Sequence, residues 1–191
     1  MPDPKHAATY AELEALPDNV VGQLIEGVLV TTPRPSIGHA TVASNLGSDL
    51  NTPFGRGRGG PGGWWFLDEP ELHFDRNVLV SDLAAWRRER MPSLPPASTP
   101  FLTLAPDWVC EVLSPKTASF DRIQKRRIYA REQVSFLWYV EPIERVLTAY
   151  RLEGAEYREL GTWGGEEDDR VRIAPFDAIE LELKSLWAPQ D

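Results

Sequence analysis

An α/β fold is what this sequence predicts, and three stretches carry the prediction. Residues 105–131, APDWVCEVLSPKTASFDRIQKRRIYAR, read as a buried strand, a sharp turn and a helix. Residues 135–140, SFLWYV, read as a second buried strand. Residues 146–150 and 156–160 alternate like an antiparallel pair about Glu153-Gly154. A chain of 191 residues fits one domain, 1–191, with a proper core.

Taken in order, residues 1–19 form a polar lead-in with a short helix at 10–16. QLIEGVLVT, 23–31, is a hairpin turning at Glu26-Gly27. Residues 33–36 are a loop, and Ile37, Val42, Leu46 and Leu50 give 37–50 helical spacing. Residues 52–63, rich in glycine and arginine, read as a mobile loop. Strands follow at 64–66 and 69–74, then one continuous strand at 77–86, NVLVSDLAAW. Residues 87–100 are basic and then proline-rich, hence a loop. In the central stretch, Trp108, Val109, Cys110, Val112 and Leu113 make an apolar run like a strand covered on both faces. The Ser-Pro-Lys-Thr turn ends it, because proline lacks a donor and fixes its own φ. Thr117 or Ser119 caps the helix that follows. Residues 166–169 are an acidic turn, 171–173 a last strand, and 178–187 a closing apolar segment.

Composition excludes several classes. No apolar run approaches the ~20 residues of a membrane span, and the first residues lack a signal-peptide layout. The single cysteine, Cys110, rules out an internal disulfide and suits a reducing compartment, so a cytoplasmic location is expected. A formal charge of −9 does not advertise nucleic-acid binding by the whole surface. One local patch does: residues 115–131 hold six Lys/Arg (116, 122, 125, 126, 127, 131) against Asp121 alone, a net of +5.

Two nonpolar strands each contain one carboxylate, Asp82 and Glu111, 29 residues apart. An acid inside an apolar run is costly unless a cation or hydrogen bonds compensate it. If the strands are neighbours, the two anions share one spot and repel, and a divalent cation removes that penalty. Magnesium takes one or two carboxylates plus waters, polarises a phosphoryl group and lowers the pKa of a bound water. Lys125, on the helix after the Glu111 strand and on one face with Asp121, Ile128 and Tyr129, is placed to stabilise developing negative charge. Asp107 follows a proline but lies about 13 Å along the strand from Glu111, at ~3.3 Å per residue. It reads as a strand-opening residue. Cys110 alternates away from Glu111 into the core, and Trp64, Trp65 and Trp86 read as core or interface.

EPELHFDRNVLVSDLAAWRRER, then PDWVCEVLSPKTASFDRIQKRRIYA and FLWYVEP, resemble the Uma family of putative restriction endonucleases, within the PD-(D/E)XK nuclease superfamily. The likeness runs from the first hairpin to the C-terminal strands. It implies a restriction-endonuclease-like core, a mixed sheet flanked by helices, with additional antiparallel hairpins. It implies an endonuclease that cuts DNA with Mg2+ or Mn2+ held by Asp82, Glu111 and the Val112 carbonyl. The family's Glu-x-Lys triplet is here Glu111-Val112-Leu113, so its lysine is replaced by Lys125 from the helix. Ser81 stands where relatives have proline, and Gly22-Gln23 where they have Tyr-Glu, so Gln23 offers only a neutral carbonyl to the ion. His39 resembles the histidine after the family's proline-rich loop, and Asp107 and Asp121 are further auxiliary candidates. Arg122, Arg126, Arg127 and Arg131, with Arg56 and Arg58, are expected on the DNA backbone, and a homodimer is the expected assembly. The alternative is a nuclease fold that binds nucleic acid or a protein partner without cutting.

Overall fold

Among the described residues, strand and helix signals in the chain become short elements built around two larger sheets and a two-stranded one. The computed structural model describes residues 7–17, 20–32, 34–115, 117–165 and 169–187. Lys116 of the basic stretch and 166–168 of the expected acidic turn lie outside these residues. Helix α1 (Tyr10–Glu14) is closed by a capping box between Thr9 and Glu12. Strands β1 (Val21–Ile25) and β2 (Val28–Thr32) make the first hairpin, turning on Glu26 at φ 49° and Gly27 at φ 78°. Helix α2 (Ile37–Leu50) starts at Ser36, whose hydroxyl accepts the His39 amide at 3.3 Å. Then come β3 (Trp64–Asp68), β4 (Glu71–Phe74), β5 (Asn77–Val80), β6 (Leu83–Arg87) and β7 (Trp108–Val112). Helices α3 (Ala118–Phe120) and α4 (Arg126–Arg131) are joined by a wide π turn, Asp121–Lys125, into one helical segment. Strands β8 (Phe136–Glu141), β9 (Val146–Glu153), β10 (Glu156–Gly164), β11 (Arg170–Val171) and β12 (Leu181–Glu182) follow.

Among the described residues, six strands order as β10-β9-β8-β7-β6-β3, and four as β2-β1-β5-β4. The larger sheet is mixed: β7 and β8 run parallel while its other neighbours are antiparallel. Parallel strands need a crossover, and the helical segment 118–131 supplies it. The alternation of β7 divides the core. Trp108, Cys110 and Val112 pack with Val42, Leu46 and Leu50 of α2. Val109 and Leu113 pack on the other face with Ile128 and Tyr129 of α4. Helices thus cover both faces of the sheet, as the family likeness implied.

Three expectations change. The stretch 77–86 is two strands, because the chain leaves the four-stranded sheet after Val80 and enters the six-stranded one at Leu83. Ser81 and Asp82 are the crossing point. The loop expected from 52 begins as a further wide helical turn, Asn51–Gly55, because Phe54 and Pro53 bury against the core. Thr117 does occupy the cap position, but its hydroxyl pairs with that of Ser114 at 3.0 Å rather than with a helix amide.

Candidate active site

Glu111 is the centre of a buried polar cluster that the strand β7 could not carry unaided. It is 2% exposed, on the face covered by the segment 118–131. Lys125 Nζ donates to both its carboxylate oxygens at 3.1 Å, and the Tyr129 hydroxyl donates to Oε1 at 2.5 Å. Lys125 is itself 3% exposed and also reaches the Val80 carbonyl at 2.8 Å and Asp121 Oδ1 at 3.3 Å. Asp121, Lys125 and Tyr129 follow each other at four-residue steps, so one helical stripe delivers all three. The wide turn is closed at the Asp121 carbonyl, which accepts the Arg126 amide and, at 3.1 Å, the Tyr139 hydroxyl.

Asp82 arrives from the sheet crossing. Leu83 pairs with Cys110 in the β6–β7 ladder, so Asp82 stands opposite Glu111. There its side chain takes over the ladder: Oδ2 accepts the Val112 amide at 2.6 Å. Oδ1 meets His39 Nε2 at 3.2 Å, while His39 Nδ1 is buried with no partner among the described residues. Gln23, from β1, accepts the Val80 amide on Oε1 at 3.0 Å. The two polar groups of Val80 are therefore held by two different functional candidates, its amide by Gln23 and its carbonyl by Lys125. Gln23, His39, Asp82, Glu111, Asp121 and Lys125 line one cleft of about 430 Å³.

Charge in this cleft is unbalanced. Glu111, Asp82 and Asp121 surround one ammonium. Burial pushes the Glu111 carboxyl up to about 8; Lys125 opposes the rise, and Asp121 and Asp82 add to it. Burial works against the charged form of Lys125 as well, but Glu111, Asp121 and Asp82 outweigh it and hold the lysine above its ordinary range. Lys125 is therefore a fixed cation rather than a proton acceptor. Burial lowers His39, yet the hydrogen bond and charge of Asp82, with Glu69 and the Val112 backbone, carry it above the ordinary histidine value. Burial and Glu111 push Tyr129 well up, so it remains a donor. A surplus of hard oxygen donors over positive charge fits a divalent cation, and Asp82, Glu111 and the Val112 carbonyl are the groups that could hold one. Among the described residues, no three His, Cys, Asp or Glu side chains are gathered closely enough to hold an ion alone.

Asp82, Glu111, Lys125, Val112, Gln23, His39 and Asp121 are brought together. Asp107 is not: its Oδ2 accepts the Arg87 amide at 2.8 Å and its Oδ1 pairs with Arg90 at 3.0 Å. Arg122, Arg126, Arg127 and Arg131 face away from the cleft into a second groove of about 710 Å³. Arg122 pairs with Glu141 at 2.6 Å, Arg131 with Glu26 at 2.9 Å, and Arg126 donates to the Tyr157 carbonyl at 3.0 Å. Tyr129 is the group that sequence reasoning placed on the right face without giving it a role. The signal was its spacing from Asp121 and Lys125. Trp64 and Trp86 are buried in the core, and Trp65 lies beneath Arg88 at 3.9 Å.

Comparison with known proteins follows the same direction. No curated protein matches the sequence. A solved structure described as a putative nuclease belonging to DUF820, from Anabaena variabilis, is 23% identical with a TM-score of 0.74. The match spans 93% of this chain and 96% of that one, so the two share a fold. Residues 7–184 match the family model Uma2, described as "Putative restriction endonuclease". With its fold shared and nearly all of its length inside that model, this chain belongs to the Uma2 family.

Proposed function

We propose that this protein is a metal-dependent DNA endonuclease that hydrolyses phosphodiester bonds. The observation that carries the reading is the meeting of Asp82, Glu111 and Lys125 in one cleft, with the lysine buried against the glutamate. Family membership and the nuclease description of the solved neighbour support it. Asp82, Glu111 and the Val112 carbonyl would hold Mg2+ or Mn2+. Such an ion polarises the phosphoryl group and makes a bound water acidic enough to attack. Lys125 keeps its proton, so its part is to stabilise the negative charge that gathers on the phosphoryl oxygens. Tyr129 holds Glu111 in place, and His39 holds Asp82.

The test is cleavage of a supercoiled plasmid with Mg2+ or Mn2+ by the wild type, Asp82→Ala and Glu111→Ala. Each substitution is expected to lower the rate by at least about 100-fold, and equal rates in all three defeat the reading. Gln23 favours a second reading, a nuclease fold that binds without cutting, because its oxygen is neutral and already accepts the Val80 amide. Calorimetry separates the two: no Mn2+ binding at millimolar concentration supports the second.

A further inference from the structure

The rim and floor of the cleft differ in a way that bears on the substrate. The acid–lysine cluster at the floor is deep: Glu111, Lys125 and Asp121 are each at most 4% exposed. At the rim, Ile143 is 68% exposed in the turn between β8 and β9, and lines the cleft. Ile37, 86% exposed, opens α2 beside the rim residue Ser36. These are the two most exposed large hydrophobic side chains among the described residues; one lines the cleft and the other follows a lining residue in the chain. Charge at the cleft is of the wrong sign for a long phosphate track. Among its described lining residues the cations are Arg34 and Lys125, against Glu69, Asp82, Glu111 and Asp121. The arginines of 122–131 serve another groove, and three of the four are engaged within the protein.

Duplex DNA is gripped mainly through many phosphate contacts along a basic surface. A narrow cleft with few cations and an apolar rim cannot use that mode. It suits a strand whose bases are unpaired, because a single strand carries half the phosphates of a duplex along its length and offers its base faces to an apolar rim. From this we infer, building on the nuclease reading above, that the substrate is unpaired DNA: a single strand, or a flap or gap within a duplex. One strand occupies one cleft, so a single copy of the protein suffices.

A labelled oligonucleotide, alone and annealed to its complement, tests this with the full chain. Binding is read by anisotropy in Ca2+ and cutting in Mn2+. The single strand is expected to bind and be cut at least ~10-fold better than the duplex. Ile143→Ser and Ile37→Ser together are expected to weaken single-strand binding by ~5-fold or more. Both side chains are exposed, and thermal melting checks that the fold is kept. Equal or better use of duplex, an unchanged preference in the double variant, or no binding of either form overturns the inference. Preferred binding of single strand with no cutting sustains it and defeats the nuclease reading instead.

Discussion

Glu111 is an almost fully buried carboxyl at the floor of the cleft, and its proton balance sets a measurable property of the whole chain. Its folded carboxyl keeps a proton up to about 8, whereas an ordinary glutamate releases it near 4.5. Between those values the folded state binds more protons than the unfolded one. Stability must then fall as pH rises through that window, and level off above it. Lys125 is raised from an ordinary value of 10.5, so its own contribution is lost only above that value and leaves this window untouched. Urea unfolding from pH 5 to 6.5, below the range in which the raised His39 adds a decline of its own, is therefore expected to show a fall in the wild type that Glu111→Gln flattens. A wild type as flat as the variant contradicts the assignment. Tyr129 and Lys125 both donate to this carboxyl, so its oxygens are satisfied within the fold.

Helices and strands place these residues more by where they end than by what they contain. Helix α2 begins where the Ser36 hydroxyl accepts the His39 amide, so the cap positions the same residue that meets Asp82. Ser36→Ala is expected to cost about 1 kcal/mol. The loss should appear in chemical denaturation together with a changed His39 titration by NMR; a change in neither removes the link. Much of this was legible in the residues themselves. Glu111 showed because an acid in WVCEVL has no cheap alternative to a partner, and Lys125 because it shares a face with Asp121. The break at Ser81-Asp82 did not show: no Gly or Pro marks it, and the apolar character of 77–86 continues across two sheets. Which sheet a strand joins is decided by its neighbours, Leu24 for β5 and Cys110 for β6, and a local pattern holds neither. Helical spacing did contain the position of the arginines, since Arg122 and Arg126 sit one residue, about 100°, from the Asp121–Lys125 stripe. Charge counting alone merged the two faces.

At the scale of the molecule, the C-terminal segment completes the core on the α2 side. Phe176 packs within 4.8 Å of Phe54, 5.0 Å of Trp64 and 5.1 Å of Trp108, centroid to centroid. Asn45 on α2 donates to the Ser185 carbonyl at 2.9 Å, and Leu186 is fully buried. Phe176→Ala should cost about 3–5 kcal/mol, read as a drop in the urea midpoint; a loss below about 1 kcal/mol means that this segment is only draped on the surface. No helix of the described residues is long and apolar enough to cross a membrane. The four-stranded sheet also meets the helical segment 118–131 at Val80, a residue with no chemistry of its own. Its amide is held by Gln23 and its carbonyl by Lys125, so the first hairpin and the ammonium in the cleft grip the two peptides on either side of one Cα. Gln23 in the opening hairpin thus stands one residue away from the cation, without touching it.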